Sequence, residues 1–283
     1  MSVRQTRVEA IERLGAAGCP SPAVDAEILL EHVLQQPRSA LYASPEQLLS
    51  PAQRDALEEK LARRCRREPL AYIVGEWGFR RLQLQVTPDV LVPRPETEVL
   101  VERCLEHLAA RQRPRVIDIG TGSGAIALAV ADEHTGAEVV ATDISFAALE
   151  LAAGNARRAR LDDRVSFVHG DLFAGEVGAF DLVVSNPPYV SAESVALLEP
   201  EVAQFEPRLA LVGSDFHQRV AEHAQDVIAR GGWLVMETGE DQASGVAERL
   251  RALCFSDVEV IPDLNDRPRI VEGRRRASSD RAR

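Results

Sequence analysis

VIDIGTGSG, residues Val116–Gly124, joins a short apolar strand directly to a glycine-rich turn. The stretch that follows predicts a helix from Ala125 to about Asp132. Strand, turn and helix in this order are typical of an open parallel α/β sheet. Glycine has no Cβ atom, so backbone N–H groups at such a turn can approach a ligand closely. We therefore predict a nucleotide-type site formed by Gly120, Thr121, Gly122, Ser123 and Gly124.

An acidic residue follows the turn at the spacing of a ribose-binding side chain. The next predicted strand, Glu138–Thr142, ends at Asp143, about 20 residues beyond the turn. The turn lacks the Gly-Lys-Ser/Thr triplet of a triphosphate site, so the glycines and Asp143 indicate an adenosine cofactor. NAD stays open at this point, because Gly120, Gly122 and Ala125 satisfy the dinucleotide pattern Gly-x-Gly-x-x-Gly/Ala.

The next part of the chain favours a cofactor other than NAD. From Arg115 to Arg269, apolar strands alternate with helical stretches, which predicts a doubly wound sheet. After the strand Val165–Val168, Asp171 and Leu172 place a carboxylate and an apolar wall where an adenine ring would lie. A nicotinamide enzyme also needs a second nucleotide pocket and a hydride partner, and this segment supplies no obvious one.

The fourth strand, Phe180–Ser185, ends in Asn186-Pro187-Pro188-Tyr189. Consecutive prolines stop ladder pairing, and residues beyond the carboxyl end of a strand face the ligand crevice. Asn186 offers a side-chain carbonyl and Pro187 a main-chain carbonyl, which suit the two hydrogens of one planar NH2 group. Tyr189 adds a flat face that can pack on an amide or a base. The stretch predicts binding of an amide or aryl amine, although Asn-Pro and Pro-Pro are also ordinary turn sequences.

The N-terminal third predicts a small bundle of short helices. Ser21-Pro22, Ser44-Pro45 and Ser50-Pro51 each place an N-cap residue before a proline at the first helical position. The last helix, from Ser50 to about Arg67, ends in the basic cluster Arg63–Arg67. This cluster fits a solvated face and a docking surface for an acidic or phosphate-bearing partner equally well.

A β-hairpin is predicted between this bundle and the rest of the chain. Tyr72–Val74 is strand-like, and apolar and polar residues alternate over Leu82–Val86. A helix with an apolar side from Val99 to Leu108 follows the segment Val92–Glu98.

The C-terminal part predicts further helices and strands. They are a helix from about His217 to Arg230, a strand Trp233–Glu237, a helix Asp241–Leu253, and strands near Asp257–Ile261 and Arg269–Val271. Glu237 ends a strand at the predicted ligand edge, where it either faces the pocket or is exposed. The last ten residues, Arg274–Arg283, carry five arginines and predict a disordered tail.

Composition narrows the class of protein. The 283 residues are 45% hydrophobic, enough for one large or two modest domains. No membrane span or secretory signal is recognised, so a soluble, cytoplasmic protein is expected. The net charge is −11, and residues 1–90 hold 12 of the 33 basic and 12 of the 44 acidic residues. The excess negative charge beyond residue 90 argues against a DNA substrate. The dispersed cysteines and histidines predict reduced thiols and no structural metal.

Five motifs follow one another along the chain: Glu68–Tyr72 (EPLAY), Val92–Glu98 (VPRPETE), Gly120–Leu128 (GTGSGAIAL), Asn186–Tyr189 (NPPY) and Phe205–Leu211 (FEPRLAL). Together they resemble the motifs of the release-factor glutamine methyltransferases, the PrmC or HemK family. NPPY is shared with DNA adenine and ribosomal-protein methyltransferases. Its combination with VPRPETE and a helical N-terminal region is much more specific.

The resemblance implies transfer of a methyl group from S-adenosyl-L-methionine to the glutamine of the Gly-Gly-Gln motif in peptide-chain release factors, leaving S-adenosyl-L-homocysteine. It also implies a Rossmann-like domain with a mostly parallel seven-stranded sheet. The implied cofactor contacts are Gly120–Gly124 to methionine, Asp143 to ribose, Asp171 and Leu172 to adenine, and Asn186. The implied glutamine contacts are Asn186, Pro187, Pro188 and Tyr189, of which Asn186, Pro187 and Tyr189 act in catalysis.

These observations predict four segments and one leading function. The segments are a helical docking domain (1–70), a hairpin linker (71–93), a methyltransferase domain (94–273) and a basic tail (274–283). A monomer without stable nucleic-acid binding is expected. The alternatives are methylation of a ribosomal-protein glutamine or a DNA adenine and, in another class, an NAD-dependent oxidoreductase.

Overall fold

The computed structural model describes residues 1–213 and 215–276, which divide into two compact units. The first unit comprises Met1–Glu76 and the later segment Leu198–Phe205. The second comprises Trp77–Leu197 and the chain from Glu206 onward. No helix within the described residues combines the length and the apolar character that crossing a lipid bilayer requires.

The first unit is helical, as the sequence predicts. Its helices are α1 (Val3–Ala16), α2 (Pro22–Leu34), α3 (Arg38–Ala43), α4 (Pro51–Cys65), α5 (Leu70–Val74) and, from the later segment, α9 (Pro200–Phe205). Two of the predicted starts are confirmed, because Ser21 and Ser50 are the N-cap residues of α2 and α4. The Ser50 hydroxyl accepts a hydrogen bond from the N–H of Gln53 at 3.2 Å, which completes a capping box.

The third predicted start, Ser44-Pro45, is wrong. Ser44 is the C-cap of α3, and the chain after it is not helical. The carbonyls of Pro45 and Gln47 instead accept hydrogen bonds from the N–H groups of Arg4 and Val3, each at 2.9 Å. Those N–H groups belong to the first turn of α1 and have no partner within the helix. The need to satisfy them keeps this segment extended.

The strand predicted at Tyr72–Val74 is also wrong, since these residues lie in α5. Gly75 follows with φ +82° and donates its N–H to the carbonyl of Ala71 at 2.8 Å, a helix C-cap. Four of the five residues of α5 are buried. Burial on several sides of one turn has outweighed the strand propensity of this short run.

The basic cluster Arg63–Arg67 is largely paired with acids of its own unit. Arg64 is only 4% exposed, and its guanidinium contacts Asp25 at 2.7 Å and Glu201 at 2.9 Å. The other pairs are Arg63 with Glu68 and Arg67 with Glu199 and Glu201. Three of the four arginines therefore stabilise the fold of the first unit, and a docking role for the cluster stays a prediction.

The second unit contains a hairpin and an α/β sheet. The strands are β1 (Glu76–Phe79), β2 (Leu82–Gln85), β3 (Arg115–Ile119), β4 (Glu138–Asp143), β5 (Val165–His169), β6 (Phe180–Ser185), β7 (Ile228–Glu237), β8 (Phe255–Pro262) and β9 (Pro268–Arg275). The helices are α6 (Pro95–Leu108), α7 (Ala125–Glu133), α8 (Phe146–Ala159), α10 (Arg208–Leu211), α11 (Phe216–Val227) and α12 (Ala243–Ala252), with short 3-10 turns at Ser194–Leu197 and Glu240–Gln242.

Seven strands form one sheet in the order β5-β4-β3-β6-β7-β9-β8. The first five strands are parallel, and β9 runs antiparallel to β7 and β8. This confirms the predicted doubly wound, mostly parallel sheet. The strand order reverses beside β3, which pairs with β4 on one edge and with β6 on the other. In sheets of this kind, ligands bind at such a switch point.

Helices cover both faces of the sheet, as the apolar strands require. Val116 packs into a core with residues of α6 and α7, while its neighbour Ile117 packs into a second core with residues of α11 and α12. Leu182, Val183 and Val184 of β6 are all fully buried. A continuous apolar run is therefore the signature of a strand buried on both faces.

The boundary predicted near Arg230 is wrong, because α11 ends at Val227 and β7 begins at Ile228. Ile228 is fully buried and pairs with Phe180 of β6. A Cβ atom at Gly232 would lie 2.8 Å from the carbonyl oxygen of Asp181. Glycine thus lets two strands approach at a position where helical periodicity alone favours a longer α11.

The predicted start of the tail is wrong as well. Arg274 and Arg275 belong to β9, where they pair with Trp233 and Phe255. A strand with partners on both sides keeps these arginines in the sheet despite their charge. The rest of the predicted tail, from residue 277 on, lies outside the described residues.

The hairpin is present, but over fewer residues than predicted. It consists of β1 and β2, and its Phe79 and Leu84 are each 1% exposed within the core formed with α6 and α7. Asn155 of α8 fastens β2 by accepting from the N–H of Gln85 at 2.8 Å and donating to its carbonyl at 3.0 Å. The hairpin therefore packs as part of the second unit.

The pairing of Arg64 can be tested by comparing Arg64→Met with Arg4→Met. Removing Arg64 leaves the buried carboxylate of Asp25 without its partner, while Glu201 keeps Arg67, so we expect the free energy of unfolding to fall by about 3–5 kcal/mol. The pair of Arg4 with Glu46 is 63% and 73% exposed, and its loss should cost less than about 1 kcal/mol. Urea unfolding followed by circular dichroism measures both, and equal effects would contradict a structural role for Arg64.

Candidate active site

The site is assembled by the register of β3 against β6. Ile119, the last residue of β3, lies opposite Ser185, the last residue of β6, and the Ser185 hydroxyl donates to the Ile119 carbonyl at 2.8 Å. The turn that begins at Gly120 and the stretch that begins at Asn186 therefore leave the sheet side by side.

A cavity of about 290 Å³ opens at this edge of the second unit. Its walls include Gly120–Ser123 after β3, Thr142–Ser145 at the end of β4, Gly170–Leu172 after β5, and Asn186 and Pro188 after β6. Further walls come from Arg94, Thr97, Leu209 and Phe216. A cavity of this size and mostly apolar character is typical of a small-molecule site.

The glycine turn combines a ligand-facing part and a packing part. Gly120, Gly122 and Gly124 have φ values of +72°, +57° and +83°, which favour glycine. A Cβ atom would meet nothing within 4 Å at Gly120 or Gly122, so both face open space. At Gly124 it would lie 3.1 Å from Leu128 Cδ1, and Gly124 is not among the residues that line the cavity. Gly124 therefore serves the packing of α7, while the other two form the wall.

Asp143 holds the glycine turn and faces the same cavity. Its Oδ2 accepts from the N–H of Gly122 at 2.9 Å, and its Oδ1 accepts from the N–H of Ser145 at 2.8 Å. A carboxylate has about four lone-pair sites, so acceptor capacity remains for a ligand. This placement suits a residue that binds two hydroxyl groups.

Asp118 is a site residue that the sequence analysis did not single out. It is fully buried below the glycine turn, where Oδ2 accepts from Thr121 Oγ1 at 2.6 Å and from the N–H of Ala127 at 3.2 Å. Its Oδ1 has no hydrogen-bond partner among the described residues. Burial raises the pKa of Asp118 to about 7. The signal in the sequence is a lone acidic residue inside an apolar strand, two positions before the first glycine.

The two residues predicted to border adenine lie at the cavity, and one of them has an unexpected partner. Asp171 and Leu172 both line the cavity, and the Leu172 carbonyl accepts from the Thr142 hydroxyl at 2.6 Å. Asp171 forms an ion pair with Arg219 of α11, a residue that no sequence pattern indicated. The pair leaves the Asp171 carboxylate partly exposed at the cavity.

The four residues of the Asn-Pro-Pro-Tyr stretch divide into two groups. Asn186 and Pro188 line the cavity, whereas Pro187 and Tyr189 are not part of its lining. The Tyr189 carbonyl accepts from Gln242 Nε2 at 2.9 Å, and its ring stacks with His217 at a centroid distance of 6.4 Å. Burial raises the pKa of Tyr189 to about 12. The roles of Pro187 and Tyr189 toward a substrate stay predictions.

Asn186 begins a chain of hydrogen bonds that runs through Thr97 to Glu237. Its Nδ2 donates to Thr97 Oγ1 at 3.2 Å, and Thr97 Oγ1 donates to Glu237 Oε2 at 2.7 Å. Glu237 is 2% exposed and is not part of the cavity wall, so it is neither a pocket carboxylate nor an exposed one. Burial raises the pKa of Glu237 to about 7.

An ion pair between the buried Glu206 and the half-buried Arg94 joins two of the motifs found in the sequence. Glu206 accepts from Arg94 Nη2 at 2.6 Å and from the N–H of Val92 at 3.4 Å. The Glu206 side chain is 1% exposed, and its burial raises the pKa of the carboxyl group. The pair holds VPRPETE against FEPRLAL at one side of the cavity.

Comparison with known proteins gives two matching family models. A model described as the PrmC N-terminal domain matches residues 5–75, and one described as a methyltransferase small domain matches residues 97–244. The release factor glutamine methyltransferase of Koribacter versatilis is 40% identical over 284 residues, covering 98% of this chain and all of the relative. The chain belongs to the release factor glutamine methyltransferase family.

Other relatives agree with this family. The release factor glutamine methyltransferase of Deinococcus radiodurans is 40% identical over 279 residues and covers 97% of this chain and 99% of its own. Among solved structures, a methyltransferase from Pyrococcus furiosus superposes with a TM-score of 0.51 at 22% identity, over 69% of this chain and 90% of that one. This likeness supports the fold of the methyltransferase domain.

The positive φ angle at Gly122 in the glycine turn can be tested with two glycine substitutions. Gly122→Ala forces a side chain to φ +57°, which we expect to lower the free energy of unfolding by about 1–2 kcal/mol. Gly245→Ala, within α12 and with open space around the new methyl group, should raise it by about 1 kcal/mol. Urea unfolding compares the two, and a Gly122→Ala protein as stable as the parent would refute the turn geometry.

Proposed function

We propose that this chain methylates the side-chain amide nitrogen of a glutamine in peptide-chain release factors, with S-adenosyl-L-methionine as methyl donor. The family to which it belongs carries this activity in its name. The single observation that carries the proposal is the opening of the glycine turn and Asn186 into one cavity. The glutamine of the Gly-Gly-Gln motif is the acceptor that we propose.

The cavity has the groups that the donor would need. Gly120 and Gly122 leave open space on the wall for its methionine part, Asp143 keeps acceptor capacity for the ribose hydroxyls, and Asp171 and Leu172 border the space for adenine. When bound there, S-adenosyl-L-methionine supplies a methyl group activated on a sulfonium. We assign no direct contact to Gly124, whose surroundings favour packing.

Asn186 and Pro187 perform the central task in the proposed mechanism. The nitrogen of an amide is a poor nucleophile, because its lone pair is delocalised into the carbonyl group. The oxygen of the Asn186 side chain and the carbonyl oxygen of Pro187 accept one hydrogen each from the glutamine NH2 group, which orients the nitrogen. Correct positioning of two reactants is worth about 7–11 kcal/mol of the barrier. Tyr189 would pack against the amide plane.

The proton balance needs no strong base. The nitrogen forms one bond to the methyl carbon and releases one of its two hydrogens as a proton, while the carbon–sulfur bond breaks and leaves S-adenosyl-L-homocysteine. An amide nitrogen that has gained a substituent is very acidic, so an acceptor oxygen or water suffices to remove the proton. The absence of histidine or lysine from Asn186–Tyr189 agrees with this mechanism.

We also propose that the first unit docks the release factor and that the protein acts as a monomer without stable binding to nucleic acid. The match of residues 5–75 to the N-terminal model of the family supports a common role for this unit.

Mass spectrometry of a release factor tests the proposal. Incubation with this protein and S-adenosyl-L-methionine should add one methyl group to the glutamine of its Gly-Gly-Gln motif. Asn186→Ala should lower the rate by about 100-fold or more, since it removes one of the two positioned acceptors, while S-adenosyl-L-homocysteine binding by calorimetry changes little. Asn265→Ala, in an exposed turn far along the chain, is the matched control and should keep full activity.

Separate reactions with different methyl acceptors distinguish this proposal from the alternatives. If a methyl group is transferred to a ribosomal protein or to DNA, and none to the release factor, the proposed substrate is rejected. Binding of NAD without binding of S-adenosyl-L-homocysteine would reject the methyltransferase chemistry altogether.

A further inference from the structure

Behind Asn186 lies a chain of three side chains from three separate elements. Asn186 follows β6, Thr97 is in the first turn of α6, and Glu237 ends β7. The Asn186 Nδ2 to Thr97 Oγ1 distance is 3.2 Å, and the Thr97 Oγ1 to Glu237 Oε2 distance is 2.7 Å. Thr97 and Glu237 are 4% and 2% exposed, so water has little access to either hydroxyl or carboxylate.

The chemistry of these groups fixes which end of the Asn186 amide faces Thr97. An ionised carboxylate only accepts hydrogen bonds, and a threonine hydroxyl has one hydrogen to donate. Because Thr97 donates that hydrogen to Glu237, its oxygen can only accept from Asn186. The group that faces Thr97 is then the NH2 of Asn186, and the amide oxygen is at the opposite side.

We propose that Thr97 and Glu237 form an orientation relay that turns the oxygen of the Asn186 amide toward the reacting nitrogen. The inference rests on the proposed function, in which that oxygen accepts a hydrogen from the glutamine NH2 group. Asn186 and Thr97 both line the cavity, and among the described residues no group donates to Asn186 Oδ1. Thr97 and Glu237 are therefore positioning residues, which act through Asn186.

The relay depends on the charge of Glu237. A protonated Glu237 can donate to Thr97, which frees the Thr97 hydrogen for Asn186 Oδ1 and allows the amide to turn its NH2 group toward the cavity. The partly positive hydrogens of the Asn186 NH2 group would then face the partly positive hydrogens of the glutamine amide, and the two groups would repel each other. The working orientation is thus specified only while Glu237 is ionised.

Several groups around Glu237 act on its ionisation. Arg94 ahead of α6 and Arg269 of β9 favour the charged carboxylate, while Glu96 of α6 opposes it. Tyr189 stays neutral, since burial raises its pKa to about 12. His217 of α11 donates from Nε2 to the Glu237 carbonyl at 2.8 Å, and burial holds the pKa of this histidine below its usual value. Burial is the largest effect on Glu237 and raises its pKa to about 7.

The sign of the pH dependence follows from these states. Above pH 7, Glu237 is ionised and the relay holds Asn186 in the working orientation. As the pH falls through about 7, Glu237 takes up a proton, so the fraction of correctly oriented Asn186 decreases. Asp118 titrates in the same range, so variants are needed to separate the two contributions.

The first test compares Thr97→Val with Thr97→Ser at pH 8. Valine matches threonine in shape and lacks the hydroxyl, so we expect kcat for release-factor methylation to fall about 10-fold, the low end of the loss measured for residues that orient metal ligands. KM for S-adenosyl-L-methionine should not change. Serine keeps the hydroxyl and should recover most of the rate. Equal rates for the valine variant and the parent, or no recovery with serine in a folded protein, would overturn the relay.

The second test observes Asn186 directly and needs no substrate. Its side-chain NH2 resonances in a 15N–1H NMR spectrum can be identified by their absence from Asn186→Ala. In the parent protein they should shift with a midpoint near pH 7, and this shift should be absent from Thr97→Val and from Glu237→Gln. The proposal would be contradicted if the Asn186 resonances of the parent protein did not shift over this pH range. It would also be contradicted if the same shift persisted in both variants.

The two tests also distinguish failure of the relay from failure of the proposed function. A parent protein that leaves release factors unmethylated would reject the function, and the NMR titration would still decide the relay. A parent protein that methylates them, with Thr97→Val equally fast, would reject the relay alone.

Discussion

The pairing of β3 with β6 is the constraint on which the site depends. With Ile119 opposite Ser185, the glycine turn and the Asn-Pro-Pro-Tyr stretch leave the sheet at the same level and open into one cavity. Two polar residues flank the apolar run of β6: Asp181 Oδ2 accepts from the N–H of Arg115 at 2.9 Å, and the Ser185 hydroxyl donates to the Ile119 carbonyl at 2.8 Å. A slip of one residue would exchange the faces of every side chain in β6 and break both hydrogen bonds. These polar residues at the two ends of the strand therefore select the register that creates the site.

Buried acids form the scaffold around this cavity. Asp118 supports the glycine turn, Glu237 lies behind Asn186, and Glu206 holds Arg94 beside the cavity. A carboxylate without water is costly unless hydrogen bonds compensate it, and burial raises the pKa of each of these three groups. Their shared feature is that each fixes a loop or side chain that faces the cavity. The free-energy cost of burying a carboxylate is therefore found where the position of a loop or side chain matters most for the proposed reaction.

The sequence predicted those parts of the fold and site that depend on contiguous residues. The glycine turn, Asp143 and Asn186 could be found because each lies at a short, regular distance from an apolar strand. Thr97 and Glu237 could not be recognised as partners, since 140 residues separate them and only the sheet order brings them together. Short segments were misassigned for a related reason: long-range packing outweighs the propensity of Tyr72–Val74 for strand.

Neutron diffraction from crystals that hold a Gly-Gly-Gln peptide and S-adenosyl-L-homocysteine would test the central claim most directly, because deuterium atoms distinguish oxygen from nitrogen in an amide. The account predicts Asn186 Oδ1 within hydrogen-bond distance of the peptide glutamine nitrogen, with the deuterated Nδ2 directed at Thr97. A glutamine amide bound away from Asn186, or an Asn186 with its nitrogen toward the peptide, would contradict it.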